Sequence, residues 1–214
     1  MRKHIVVARA ADGDYPAPGP VIADVAQFVK ERSWIEHCVV HVATPEPMEC
    51  PVGAEPDADG SNFAVELWTA DDRGLNAADV PFRQAVAYEV QEIVEKGSGS
   101  FPPGAMPGVT LFSRNMPKAG VPLTEIRARY DRHPLVALRV HVGMETYVRN
   151  PIESGSPEGA PGFASISVLY FPTDEALVNR LYSDEQGMRD IGEDVSHFLG
   201  EGSMLFKARS HALK

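Results

Sequence analysis

VPLTEIRARYDRHPLVALRVHVGMETYVRNPI, residues Val121–Ile152, sets a helix and a strand side by side. Thr124 has the side chain of an N-cap, and Glu125 places negative charge in the first turn, where the helix dipole favours it. Leu123, Ile126 and Tyr130 recur at helical spacing, so one stripe packs inward. A helix is expected over Thr124–His133, faltering near Pro134, because proline disfavours helical geometry in the residue before it. Met144–Val148 alternates as a strand does, and Arg149-Asn150-Pro151 closes it. The last helical turn carries Tyr130, Asp131 and His133, three groups able to handle protons.

The same order of elements recurs on either side of this stretch. Upstream, His4–Ala10 reads as a strand ending in the turn Asp12-Gly13-Asp14, and Val21–Arg32 as an amphipathic helix with Val21, Val25, Phe28 and Val29 on one face. Trp34–Ala43 is a β-branched strand, Glu46–Ser61 a proline-, glycine- and acid-rich loop, and Phe63–Thr69 an alternating strand. Pro81–Glu95 has Phe82, Val86, Val90 and Ile93 at helical spacing and is read as a helix. Lys96–Gly108, KGSGSFPPGAMPG, has the composition of a linker. Downstream come a strand at Val109–Asn115, the helix above, its strand, a proline- and glycine-rich loop at Glu153–Gly162, a strand at Ala164–Phe171, a helix at Asp184–Leu199 and a strand at Met204–Ala212.

Particular residues line up at an offset of roughly 102–106 positions, the mark of an internal duplication. Arg9 matches Arg114, Phe28 matches Tyr130, Pro45 matches Pro151, and Glu66-Leu67-Trp68 matches Val168-Leu169-Tyr170. Each half then reads β-α-β-β-α, with a fourth strand explicit in the second half. This is the α+β, ferredoxin-like βαββαβ plan. One such sheet leaves a face uncovered, and two copies can bury theirs against each other. The expected organisation is a first repeat over 1–98, a linker over 99–108 and a second repeat over 109–214. Together they form an intrachain α/β-barrel.

Composition narrows the function. The 214 residues carry a formal net charge of −10 and 43% hydrophobic residues. That supports a sizeable core and opposes nucleic acid or an anionic membrane surface as partner. Cys38 and Cys50 are the only cysteines, too few for a disulfide framework or a four-cysteine zinc site. No window approaches a membrane span, and the basic start MRKH is followed by an apolar run too short for a signal peptide, so the expected location is cytoplasmic. GxGxxG, GxxxxGK[ST] and serine-elbow motifs are missing, which disfavours NAD, ATP and hydrolase chemistry. Seven histidines occur without HxH, HExxH or a facial carboxylate set, so no metal and no other cofactor are expected. The expected partner is a small-molecule substrate, and the expected assembly a monomer with an internal pseudo-dimer or a homodimer.

The second half resembles the EthD family of the dimeric α/β-barrel superfamily. The resemblance rests on TLFSRN…VPLTEIRARY, on HPLV at His133–Val136, on GMETYVRNP and on SVLYFPTDEAL…YSDEQGM, and covers about Val109–Leu213. The first half is a more divergent copy, recognisable through NFAVELW. The family pattern ends its first helix with Tyr, an acidic or polar pair and His-x-Pro-Leu; here one residue is missing, giving Asp131-Arg132-His133-Pro134-Leu135. The resemblance implies a barrel of the kind used by cofactor-independent monooxygenases, polyketide cyclases, lactone isomerases and dehydratases, and also by members with no known catalysis. Fold alone does not choose among them.

His133 is the foremost candidate: imidazole titrates near neutral pH and acts as general base or acid without a metal. The first-half position that matches it falls near Glu31 or Arg32, so a catalytic His133 gives one site, not two. Asp131 is expected to orient His133, and Tyr130 to donate to a developing oxyanion. Arg9 and Arg114, matched at strand ends, are candidate holders of a carboxylate or carbonyl. His37 and His41 share a strand face roughly 13 Å apart, too far to share a metal; with Tyr147, near the repeat partner of His41, they are candidate substrate contacts. The expected function is a cofactor-independent lyase or isomerase (dehydratase, cyclase or lactone-isomerase type) working by acid–base catalysis on a small oxygenated, aromatic or polyketide-like compound. The alternatives are a non-catalytic small-molecule-binding barrel and a cofactor-free monooxygenase. The pocket is expected between a sheet and its helices in the second half.

Overall fold

The structure is a computed structural model that describes residues 1–10, 15–45, 61–70, 74–75, 77–98, 101–153 and 160–214. The expected turn at Asp12-Gly13-Asp14, most of the loops at 46–61 and 153–162, and Cys50 lie outside the described residues. Strand β1 (Arg2–Arg9) is followed by helix α1 (Pro18–Lys30), strands β2 (Ile35–Ala43) and β3 (Phe63–Thr69), a 3-10 turn (Ala77–Asp79), and strands β4 (Arg83–Val90) and β5 (Ile93–Lys96). The chain continues through the two-residue β6 (Gly104–Ala105), β7 (Val109–Asn115), α2 (Leu123–Val140), β8 (Thr146–Pro151) and β9 (Ser165–Phe171). It ends with α3 (Asp174–Arg180), α4 (Glu185–Ser196) and β10 (Met204–Ala212).

Among the described residues nine strands form one antiparallel sheet in the order β4-β1-β3-β2-β10-β7-β9-β8-β5, and β6 pairs with β10 off this path. The blocks β4-β1-β3-β2 and β10-β7-β9-β8 have the same internal order, first strand flanked by last and third. They are joined where β2 meets β10, with His41 opposite Ser210. At the other end Val90 bridges Ile152, and the Gln91 N–H donates to the Pro151 carbonyl at 2.9 Å. The sheet therefore returns on itself, which removes most of the exposed strand edge.

Strand periodicity then sorts side chains into layers. Ile5, Val7, Tyr88, Phe112, Val148, Ile166, Val168 and Phe206 point into the barrel and form its buried interior. The alternate residues point outward to the helices. In the first half Val6, Ala8, Val40, Phe63, Val65 and Leu67 pack against Val21, Val25 and Phe28 of α1. In the second, Val109, Leu111, Phe171 and Leu205 pack against Ala137 and Val140 of α2, Leu177 of α3 and Ile191 of α4.

Three elements differ from expectation. Pro81–Glu95 is two strands, not a helix: Val86, Tyr88 and Val90 face the barrel while Ala85 and Ala87 face outward. Positions i and i+4 share a face in a strand as well as in a helix, so the Val86–Val90 spacing did not distinguish them. Helix α3 was not anticipated; the Thr173 hydroxyl caps it by accepting from the Ala176 N–H at 3.0 Å. Helix α2 does not stop at His133 but continues through Pro134 to Val140. Proline lacks the N–H that would bond the carbonyl four residues back. That carbonyl belongs to Tyr130, and it accepts instead from Arg149 Nη1 of β8 at 3.0 Å.

Candidate active site

The outward face of the second half changes character along its strands. At one end are Val109, Leu111, Leu169 and Phe171; toward the other the same faces carry Ser113, Asn115, Ser165 and Ser167. Matching first-half positions hold Val6, Ala8, Phe63, Val65 and Leu67, which fill the space under α1. Serines are too small to reach α2 and α4, and a cleft remains above them. It has an inner chamber of about 110 Å³ and an outer one of about 310 Å³. Asn115, Tyr130, Phe198 and Leu199 line both, so the Tyr130 ring stands between them.

His133 and Tyr147 line the inner chamber, their rings edge to face at 6.3 Å. Tyr130 stacks beside His133 at 6.3 Å, and Phe198 meets the imidazole edge-on at 5.2 Å. The carboxylate against His133 is Asp194 of α4, with Oδ2 2.6 Å from Nδ1. Asp131 does not orient His133: it is largely exposed and pairs with Arg149 Nη1 at 3.2 Å. One helical turn cannot bring a residue two positions away onto the same face, whereas the packed partner helix can. With Nδ1 engaged by Asp194, Nε2 is the nitrogen left to exchange a proton with a ligand.

The floor is a connected polar set. Tyr130 Oη lies 2.9 Å from Ser167 Oγ, and Asn115 Nδ2 donates to Ser165 and Ser167 at 3.0 Å each. The Ser113 hydroxyl donates to Asn115 Oδ1 at 2.8 Å. Burial raises the Tyr130 phenol above its usual range despite hydrogen bonds from the serines and the Arg149 charge, and raises Tyr147 well above it. Both remain neutral phenols, able to donate to an oxyanion. Arg149 lies over the Tyr130 ring at 4.7 Å and holds Glu95 of β5 through Nε at 2.8 Å. It thereby fixes the tyrosine from beneath.

His141, the C-cap of α2, also lines the inner chamber and hydrogen-bonds the Leu181 carbonyl through Nδ1 at 2.6 Å. Burial depresses its pKa to about 4 even against that bond, so the ring is neutral near pH 7. Asp194, His141, Asn115 and Ser167 were not singled out from sequence. The only signal for the serines and asparagine was their polarity at positions where the first half is apolar.

The other candidates lie elsewhere. Arg114 is on β7 but on the barrel face, beside Phe112, where Nη1 donates to Ser61 Oγ at 3.3 Å and the guanidinium sits 5.5 Å from the Phe163 ring. It is on the opposite side of the sheet from His133 and cannot serve an oxyanion there. Arg9 lines a separate first-half groove of about 260 Å³ with Asp24, Phe63 and Phe82. His37 is exposed and edge-on to Trp68 at 6.3 Å. His41 is inside the barrel between Ser210 Oγ and Glu66 Oε1, both at 2.7 Å. Ser210 reaches Thr110 at 2.7 Å, and Lys3 joins Glu66 to Glu92. Burial alone would raise Glu66, but Lys3 and the His41 hydrogen bond prevail and lower it to about 2. This row crosses the β2–β10 seam and ties the two blocks of strands together; it is separate from the cleft. Among the described residues no three His, Cys, Asp or Glu side chains converge as a metal site, and no helix is long and apolar enough to cross a membrane.

The chain matches no family model and no curated protein. Solved structures do resemble it. An anthrone oxidase-like protein superposes with a TM-score of 0.60 at 11% identity, over 99% of this chain and 93% of its own. A Lactobacillus acidophilus protein provisionally classed as a monooxygenase gives 0.54 at 10%, over 100% and 95%. A chlorite dismutase variant from Candidatus Nitrospira defluvii gives 0.50 at 10%, over 97% and 90%. Identities this low are likenesses of fold alone: an antiparallel sheet that returns on itself, with helices on its outer face.

Proposed function

We propose that this chain is a cofactor-independent monooxygenase for a small aromatic or polyketide-like compound, with its site under α2 and α4 in the second half. The observation that carries the proposal is the His133–Asp194 pair on a largely apolar chamber floored by Tyr130, Ser167 and Asn115. His133 Nε2 removes a proton from an acidic C–H of the substrate, and Asp194 stabilises the imidazolium. Neutral phenols nearby support the anion's oxygen. The anion transfers an electron to dioxygen, radical and superoxide combine at carbon, and the imidazolium returns its proton to the peroxide; loss of water with the second hydrogen of that CH2 carbon leaves a carbonyl. One substrate and one dioxygen thus give one oxidised product and one water. The superfamily neighbours described as a monooxygenase and as anthrone oxidase-like support oxygen as the co-reactant, in preference to the lyase or isomerase chemistry expected from sequence.

The matched strand orders and residue offsets further support a fused pair of ferredoxin-like units, the second of them EthD-like and carrying the His133 cleft. The test is oxygen uptake with anthrone and a panel of hydroxyaromatics. Uptake matched to substrate loss is expected, with His133→Ala slower by on the order of 10²-fold or more. An unaffected His133→Ala enzyme removes His133 from the mechanism. Conversion without oxygen uptake assigns a lyase or isomerase, and binding without conversion assigns a binding barrel.

A further inference from the structure

The inner chamber carries His133, Tyr147 and Ser167 with the Tyr130–Asn115–Ser113 polar set, apolar Leu111, Leu169, Ile191, Val195 and Leu205, and, two turns further along α2, His141. His133 and His141 are eight residues apart on one helix, roughly 12 Å along its axis. That span accommodates one six-membered ring with a hydrogen bond at each end.

The Nδ1 atom of His141 is occupied by the Leu181 carbonyl, an acceptor, so Nδ1 carries the proton. Nε2 is then a lone-pair acceptor, and among the described residues no hydrogen bond is made to it. An acceptor fixed in this tautomer recognises a donor and discriminates against a ligand that lacks one.

We infer that the inner chamber selects a monocyclic aromatic portion bearing a hydroxyl group opposite the reacting end, with that hydroxyl donating to His141 Nε2. This rests on the proposed site and adds its substrate class: phenols, not bare hydrocarbons. His141 acts as a specificity-determining residue and takes no proton in the reaction.

The test is binding, which does not depend on oxygen chemistry. p-Cresol and toluene have similar shape and differ by one hydroxyl. Their affinities are measured by titration calorimetry on the full chain, with histidine ¹⁵N resonances recorded in parallel. The variants are His141→Asn, whose amide keeps a donor near the Nδ1 position, and His141→Leu. The wild type is expected to bind p-cresol about 10-fold tighter than toluene, with p-cresol alone moving the His141 Nε2 resonance. Both variants should bind the two ligands about equally and keep the wild-type affinity for toluene. A wild type that does not discriminate, a preference that survives in both variants, or a p-cresol complex that leaves His141 Nε2 unmoved overturns the inference. Equal loss of both ligands in folded variants makes His141 merely structural and also overturns it. If oxygen uptake fails but selectivity and the Nε2 shift hold, the oxygenase reading falls and the phenol-recognising chamber stands.

Discussion

Helix α2 runs through Pro134 because Arg149 takes over the Tyr130 carbonyl, and this can be measured. Arg149 is about 4% exposed; it spends Nε on Glu95 and Nη1 on the Tyr130 carbonyl, with Asp131 at the rim. Arg149→Lys retains a charge for Glu95 but has no fork to reach the helix as well. The Tyr130 carbonyl is then left in a buried place without a donor, which costs about 1–3 kcal/mol. Taking about 2 kcal/mol, a chain of this length should melt roughly 4–8 °C lower. Pro134→Ala supplies the missing N–H four residues on. In the Arg149→Lys background it should therefore stabilise by about 1–2 kcal/mol more than in the wild type, where the carbonyl is already satisfied. Urea unfolding of the four proteins, with m unchanged, closes the cycle. A coupling energy indistinguishable from zero would refute the claim that Arg149 compensates for the proline.

Two other outcomes follow from the polar contacts. Asp194→Asn should lower turnover by on the order of 10²-fold while leaving ligand affinity within a few fold, because an amide orients His133 without stabilising its charged form; the ¹⁵N shifts of His133 report the tautomer, and unchanged turnover would remove Asp194 from the site. Stability should fall with acid in two stages. His141 is depressed from 6.5 to about 4, so its contribution is present above pH 6.5 and lost as pH falls toward 4. Glu66 is depressed from 4.5 to about 2, so its contribution is present above 4.5 and lost toward 2. Each stage is on the order of 3 kcal/mol. His141→Asn should abolish the upper stage and spare the lower; urea midpoints between pH 7 and 3.5 read the difference, and an upper stage that survives the substitution would locate it elsewhere.

Much of this protein was readable from neighbouring residues. The strands Phe63–Thr69, Val109–Asn115 and Met204–Ala212 coincide with their expected bounds, because the strand pattern of apolar and polar residues is written within each segment. Ile126 and Tyr130 on the buried face of α2 and a cleft between sheet and helices in the second half were also expected; Leu123, expected inward, is exposed, and α2 starts after Pro122 with Thr124 inside its first turn instead of capping it. What remained hidden depended on partners distant in sequence. Whether Pro134 ends a helix is decided by Arg149 on β8, and whether Val86 and Val90 lie on a helix or a strand is decided by the β1 edge they pair with. Arg114 was visible as a strand-end arginine, but its face follows from register: one residue's step puts Ser113 and Asn115 under α2 and Arg114 inside the barrel. His133 was visible and its carboxylate was not, because Asp194 lies sixty-one positions away and arrives only when α4 packs on α2. Local pattern determined which residues could carry chemistry; helix packing and strand register determined which of them meet.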